Sequence, residues 1–250
     1  FYERYANGIH CRKSYGGKRR FHRRSESLRR KTTAELERKV IAKDSSNRTA
    51  ITKKYFHQKL TMKLYHCSNA RSVRPLWTLE EMGLDYELEV MPFPPRFKRE
   101  GYLDINPLGT VPAFVDDNLV LTESTGICQY LVSKYGPTEL EMSKDEPEYG
   151  DYLNWLFRSD ATFTFPLAIV LRYTQLEDEE RRVPQVAEDY AIWFHSRVRS
   201  IESALEGKEF LVGDRFTIAD IAVGYALQFG HRLGLSDRYK PNCQRYLASL

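Results

Sequence analysis

The sequence predicts an α/β domain followed by an all-α domain, on three observations. Between Met62 and Tyr135, short strand-like runs and helix-like runs follow the order β-α-β-α-β-β-α, which suits a small sheet covered by helices. Beyond Gly136-Pro137 no strand pattern recurs, and apolar residues at helical spacing carry the chain to Leu250. Between these halves, residues 137–147 are acidic and hold two prolines, Pro137 and Pro147, which reads as a linker. The predicted organisation is therefore a basic segment 1–61, an α/β domain 62–136, a linker 137–147 and a helical domain 148–250.

In the α/β half, Met62–His66 is strand-like and Arg71–Met82 places Val73, Leu76, Trp77 and Leu79 at helical spacing before a stop at Gly83. Tyr86–Met91 alternates apolar and acidic residues as a half-exposed strand does. Pro92, Pro94 and Pro95 interrupt, and Phe97–Ile105 reads as an irregular helical segment. Pro112–Val115 and Leu119–Leu121 flank Asp116-Asp117-Asn118 as a hairpin, and Glu123–Tyr135 is a helix. In the second half, Tyr149–Tyr173 is a long helix that Pro166 should kink. Pro184–Leu205 lays Val186, Tyr190, Trp193, Phe194, Val198, Ile201 and Leu205 on one face. Thr217 and Asp220 have the spacing of a capping box, with Phe216 and Ile221 as its apolar staple. They open a buried helix, Ile218–Phe229, in which Ala222 and Gly224 allow close packing.

Charge is unevenly divided over the 250 residues. Residues 1–61 hold 18 Lys+Arg against 5 Asp+Glu, whereas 62–250 hold 20 against 29, so a net charge of +4 conceals +13 and −9. Clusters such as Lys18-Arg19-Arg20 and Arg29-Arg30-Lys31 attract phosphates without sequence specificity. With so little apolar material between them, a disordered or non-native extension is the preferred reading, and no nucleic-acid partner is expected. Met62-Lys63-Leu64-Tyr65 reads as the start of a domain. Cys11, Cys67, Cys128 and Cys243 lie far apart without paired spacing, so neither a disulfide framework nor a metal site is expected. No apolar run has membrane-spanning length, and the N-terminus lacks the apolar core of a secretory signal. A soluble cytoplasmic protein is the expectation.

Function concentrates in Gly109-Thr110-Val111-Pro112-Ala113-Phe114-Val115 and Thr122-Glu123-Ser124-Thr125-Gly126-Ile127. Pro112 cannot donate to a strand ladder, so it belongs at the mouth of the strand. A cis bond before it would leave the N–H and C=O of Val111 to pair with an extended peptide, much as a strand adds to a sheet edge. Glu123-Ser124 opens a helix whose first N–H groups and positive dipole end suit a carboxylate. A peptide clamp beside a carboxylate clamp implies a small peptide with a free α-carboxylate.

Residues 62–250 resemble the glutathione S-transferase superfamily. The resemblance rests on Lys63-Leu64-Tyr65, Leu79-Glu80-Glu81-Met82-Gly83-Leu84-Asp85-Tyr86-Glu87, Asn106-Pro107-Leu108-Gly109-Thr110-Val111-Pro112, Glu123-Ser124 and Phe216-Thr217-Ile218-Ala219-Asp220-Ile221, in that order and spacing. It is closest to bacterial members of the theta- and phi-like kind. It implies a thioredoxin-like N-terminal domain that binds glutathione as co-substrate, followed by an all-helical glutathione-transferase C-terminal domain. It further implies a homodimer, a small electrophile as second substrate, a role in detoxification and no metal. It also implies helices beyond Leu250, so the helical domain reads as truncated there. By position, Val111 pairs its backbone with the cysteinyl unit, Pro112 is the cis-proline and Thr110 borders them. Glu123 and Ser124 hold the γ-glutamyl end, and Lys98 lies near a basic position for the glycyl carboxylate.

The resemblance places the residue that activates the glutathione thiol between the first strand and first helix. Counted back from Gly83-Leu84, the usual Ser or Cys position falls on Asn69, a departure from the family pattern. An amide can still donate a hydrogen bond to a thiolate. Ser68 and Ser72 are alternative donors, Ser72 being also a plausible helix cap, and Arg71 supplies positive charge. Cys67 reads as a half-buried free thiol. The wall facing the electrophile is expected along the kinked helix, where Asn154, Arg158, Asp160, Phe165 and Arg172 lie, with Arg158, Phe165 and Arg172 assigned to the pocket. Because Asn69 replaces Ser or Cys, the alternative to an enzyme is a non-catalytic binding protein of the same fold.

Overall fold

The computed structural model describes residues 62–250, and the readings made for 1–61 lie outside the described residues. β1 (Met62–His66) is an inner strand, with β2 (Glu87–Val90) parallel to it on one side and β3 (Ala113–Asp116) antiparallel on the other. β4 (Leu119–Leu121) pairs antiparallel with β3 at the edge, giving the order β2-β1-β3-β4. α1 (Val73–Met82) supplies the crossover between the parallel pair, and α4 (Ser124–Tyr135) follows the hairpin. This is the thioredoxin-like arrangement. The 95–105 region forms two single turns, α2 (Pro95–Lys98) and α3 (Tyr102–Ile105), because three prolines and Gly101 leave no longer run for a helix.

The sheet is apolar on both sides. Leu64 and Phe114 are fully buried, as are Leu76 and Leu79 of α1 and Ile127 and Leu131 of α4. Alternate residues point the other way. Tyr65, Cys67, Met91, Val111 and Ala113 gather there around the ring of Tyr102 in α3. α1 ends where expected: Gly83 adopts a left-handed φ of 62°, and Leu84 N–H returns to Leu79 C=O at 3.1 Å, closing the helix end.

The helical half contains α5 (Tyr149–Arg158), α6 (Phe165–Leu171), α7 (Pro184–Ala204), α8 (Ile218–Arg232) and α9 (Pro241–Ser249). The kink expected at Pro166 takes the form of a π-helical segment, Ser159–Thr164, between α5 and α6, and a second wide turn, Arg172–Leu176, extends the rod beyond Tyr173. Pro166 offers no N–H, and its ring crowds the carbonyl of the preceding turn. Wide turns absorb both: Phe165 N–H donates five residues back to Asp160 C=O. α8 is buried from Ile218 through Leu227, so its small residues matter. A Cβ on Gly224 would sit 2.4 Å from Leu250, and one on Gly230 would strike the Tyr239 hydroxyl and the Phe194 ring.

The capping box at the head of α8 does more than nucleate a helix. Ala219 N–H donates to Thr217 Oγ1 at 3.2 Å, and Thr217 N–H donates to Asp220 Oδ2 at 2.8 Å. The buried Asp220 also accepts Leu211 N–H at 3.0 Å and the Tyr246 hydroxyl of α9 at 2.8 Å. The Phe216 ring reaches across to Trp77 of α1, with centroids 5.7 Å apart.

Ser72 is not the cap of α1; no side-chain capping bond forms there. Its buried hydroxyl instead folds back on β1, accepting Cys67 N–H, donating to Cys67 C=O (both 3.3 Å) and lying 2.9 Å from His66 Nδ1. Burial holds the His66 pKa down at about 4, below the ordinary histidine value of 6.5, the Ser72 contact opposing only in part. The imidazolium is thus favoured in the unfolded chain, and the neutral-His66 contribution to stability is present above pH 6.5 and lost as pH falls towards 4.

Two measurements follow from this packing. Between pH 7 and 4.5 the wild type should lose about 2–3 kcal/mol more stability than His66→Asn in urea titrations. Parallel pH profiles for the two proteins would remove His66 as the source. Asp220→Ala orphans two donors beyond the cap itself, Leu211 N–H and the Tyr246 hydroxyl, at ~1–3 kcal/mol per unsatisfied group, so with the lost cap a loss of at least ~3 kcal/mol is expected. A change within ~1 kcal/mol, the ordinary cost of a lost cap, would mean that the Leu211 and Tyr246 contacts contribute nothing.

Candidate functional site

The register of the hairpin fixes one end of the site. Phe114 pairs with Leu121, so the chain entering β3 at Val111-Pro112 and the chain leaving β4 at Thr122–Ser124 lie at the same end. The Val111-Pro112 bond is cis. Val111 precedes the first ladder residue, and among the described residues its N–H and C=O make no backbone hydrogen bond. Its approach is held firmly: Thr110 C=O accepts the Tyr102 hydroxyl at 2.6 Å and Asn106 Nδ2 at 2.7 Å. Gly109 makes the turn at φ 64°, where a Cβ would meet the Arg96 side chain at 2.8 Å.

Ser124 is the first residue of α4, with Glu123 exposed before it. The first backbone donor spent within the helix is Ile127 N–H, to Glu123 C=O at 2.8 Å, which leaves the N–H groups of the first turn facing the helix start. The Ser124 side chain does not stand alone. Its Oγ accepts Arg74 Nη1 at 3.0 Å, and the same nitrogen donates to Asp160 Oδ1 at 2.7 Å. Arg71 Nε adds a second contact to that oxygen at 3.1 Å. Burial works against charge on Asp160, yet the two arginines outweigh it and hold the carboxyl below its usual range.

The loop from β1 to α1 places its candidates differently. Ser68 is exposed and Asn69 half-buried, the latter at φ 67° in the left-handed region that asparagine tolerates better than most residues. The Asn69 carbonyl accepts Arg232 Nη1 at 3.0 Å and the Tyr225 hydroxyl at 3.3 Å, both from α8. Ser72 lies beneath the loop, and Arg71 turns to Asp160. The Cys67 thiol is fully buried, sits against Pro92 C=O at 3.8 Å and is pushed up to about 11 by burial. Thiolate chemistry at neutral pH is thereby closed to it.

The structure does not gather the remaining candidates. Lys98 is exposed on α2. Arg158, Phe165 and Arg172 are seven residues apart, so the first and last stand roughly 20 Å apart along the rod. Each keeps its own company: Arg158 stacks on Trp155 at 5.1 Å, Phe165 meets Tyr190 and Trp193, and Arg172 pairs with Glu177 at 2.6 Å. Sequence reasoning missed Arg74. The available signal was an arginine inside Val73–Leu79, a stretch with hardly another polar residue.

Among the described residues no group of His, Cys, Asp or Glu is arranged to hold a metal ion, and no helix is long and apolar enough to cross a membrane. Comparison with known proteins agrees with the fold. Residues 60–133 match the glutathione S-transferase N-terminal domain, and residues 195–247 match the glutathione S-transferase C-terminal domain. Glutathione S-transferase 3 of Schizosaccharomyces pombe is 27% identical over 197 residues, covering 74% of this chain and 80% of that protein. A glutathione S-transferase of Hyoscyamus muticus is 28% identical over 184 residues, covering 67% and 82%. A crystal structure of a glutathione S-transferase from Actinobacillus pleuropneumoniae is 29% identical with a TM-score of 0.64, covering 76% of this chain and 86% of that one. With both family domains matched in order on this fold, the chain belongs to the glutathione S-transferase superfamily.

Proposed function

We propose that this protein binds glutathione and transfers its thiolate to small electrophiles. The observation that carries the reading is the pairing, at one end of the β3–β4 hairpin, of an unladdered Val111 with the Ser124 start of α4. Val111 takes the cysteinyl main chain as an added strand would. The Ser124 hydroxyl and the first N–H groups of α4 take the γ-glutamyl carboxylate, and exposed Glu123 stands beside them for the ammonium. That places the sulfur beneath the β1–α1 loop. Ser68 and Asn69 are the donors there, lowering the thiol pKa by favouring the anion.

A second reading, glutathione binding without turnover, draws support from Asn69 itself. Its amide stands where the motif resemblance leads one to expect Ser or Cys, and its backbone is tied to α8. Turnover of a generic chloroarene with retention on glutathione-agarose supports the enzyme; retention without turnover at any pH from 6.5 to 8.5 supports the binder. Ser124→Ala tests the shared premise. Losing a charge-assisted hydrogen bond should weaken glutathione binding by ~1.5–3 kcal/mol. Unchanged calorimetric affinity in a variant with wild-type circular dichroism would rule out the headgroup assignment.

A further inference from the structure

We propose that Arg232, at the end of α8, is a positioning residue for the β1–α1 loop and that its charge favours the thiolate of bound glutathione. The inference rests on the glutathione-binding reading above and adds a group from the helical half to the thiol donors assigned there.

The peptide unit joining Asn69 to Ala70 is held at both ends. Ala70 N–H donates to Cys67 C=O at 3.2 Å, closing a turn whose third residue, Asn69, has φ 67°. The Asn69 carbonyl accepts Arg232 Nη1 at 3.0 Å and the hydroxyl of the buried Tyr225 at 3.3 Å. A carbonyl oxygen has two lone pairs, and two donors meet them. The direction in which the Asn69 side chain leaves the backbone is fixed as a result. The occupancy matters chemically as well. An open carbonyl beside the sulfur would accept the S–H hydrogen and hold the thiol neutral, whereas donors favour the anion. The carbonyls of Cys67 and Ala70 are also engaged, by Ser72 Oγ at 3.3 Å and Val73 N–H at 3.0 Å.

Tyr225 brings a hydroxyl to that carbonyl, and Arg232 brings a permanent cation. The other charged and titratable groups around the loop are differently placed. Arg71 and Arg74 of α1 share the Asp160 carboxylate of the π-helical segment. Cys67 is a buried thiol, and His231 turns to Ser236 Oγ at 2.8 Å. Asp237 and Arg238, exposed in the turn after α8, are adjacent charges of opposite sign. Arg232 is the cation of this set whose hydrogen bond reaches the Asn69 main chain. At roughly 7–8 Å from a sulfur bonded to the Asn69 side chain, such a charge lowers a thiol pKa by about 0.5–1 pH unit. Because Arg232 is exposed, the effect is open to screening by salt.

Ultraviolet titration of the thiolate of bound glutathione tests this on the full chain. Arg232→Gln, which keeps an amide donor but loses the charge, should raise the bound-thiol pKa by about 0.5–1 pH unit. Arg232→Lys keeps the charge and should show less than about half of that rise. Both variants should bind S-methylglutathione, which has no thiol hydrogen to lose, within about threefold of wild type. In wild type alone, raising salt from about 20 mM to about 500 mM should move the bound-thiol pKa up by at least about 0.3 pH unit. That measurement decides the matter if the glutamine variant does not fold. An unchanged pKa in folded Arg232→Gln, an equal rise in both variants, or a matching loss of S-methylglutathione affinity overturns the proposal. Wild type that binds neither glutathione nor its S-methyl derivative overturns the glutathione reading itself.

Discussion

A guanidinium sealed from water is sustainable only when its hydrogens are matched, since an uncompensated buried charge costs several kcal/mol. Arg74 meets that condition with acceptors drawn from three distant parts of the chain, Ser124, the Ser159–Thr164 segment and Ala222. Much of the architecture around it follows. The wide turn forced before Pro166 is where Ser159 C=O and Asp160 become available to it, and the Thr164 hydroxyl both accepts from Arg74 and donates to Ser159 C=O at 2.6 Å. A larger side chain than Ala222 at that point of α8 would crowd the helix against α1. The interaction is strong evidence of constraint rather than of net stability, because removing one member leaves the others buried and unpaired.

The thiol-facing loop is governed by a different restraint. Its main chain is gripped at the Asn69 carbonyl by Arg232 and Tyr225 and pinned from below at Cys67 by Ser72. Tyr225 belongs to both arrangements, lying against the Arg74 guanidinium and donating to Asn69 C=O. One face of α8 thus supports both Arg74 beneath the start of α4 and the β1–α1 loop. In this fold the helical half holds the two loops of the sheet half on which the candidate site is built.

What could be read from the sequence was what local pattern encodes. The strand and helix order, the Gly83 stop, the hairpin about Asp116–Asn118 and the Thr217–Asp220 box all rest on residues within a few positions of one another. Val111 and Ser124 came from motif resemblance as well, and the hairpin register places them at one end. Ser72 shows the limit of local reasoning: the residue type suits a helix cap, but a buried imidazole and a strand end compete for its hydroxyl and win. Arg74 and Asp160 are 86 positions apart, and their pairing depends on the docking of two domains. No periodicity announces it. The π-helical form of the kink was equally hidden, since a proline marks where a helix is disturbed without fixing how the turn widens.

These restraints also say where chemistry is free to vary. Ser72 and Cys67 are buried, Ser72 with partners on both His66 and Cys67, and Arg71 is paired with Asp160, so all three are already committed within the fold. At Asn69 the fixed element is the carbonyl and the left-handed backbone, a conformation open to asparagine and glycine but unfavourable for bulky or β-branched residues. Serine at that position would have to meet the cost of positive φ, which asparagine meets more easily. The backbone geometry therefore accounts for Asn69 as well as any chemical demand does. It also leaves the exposed hydroxyl of Ser68, one residue earlier, as the donor least constrained by the fold.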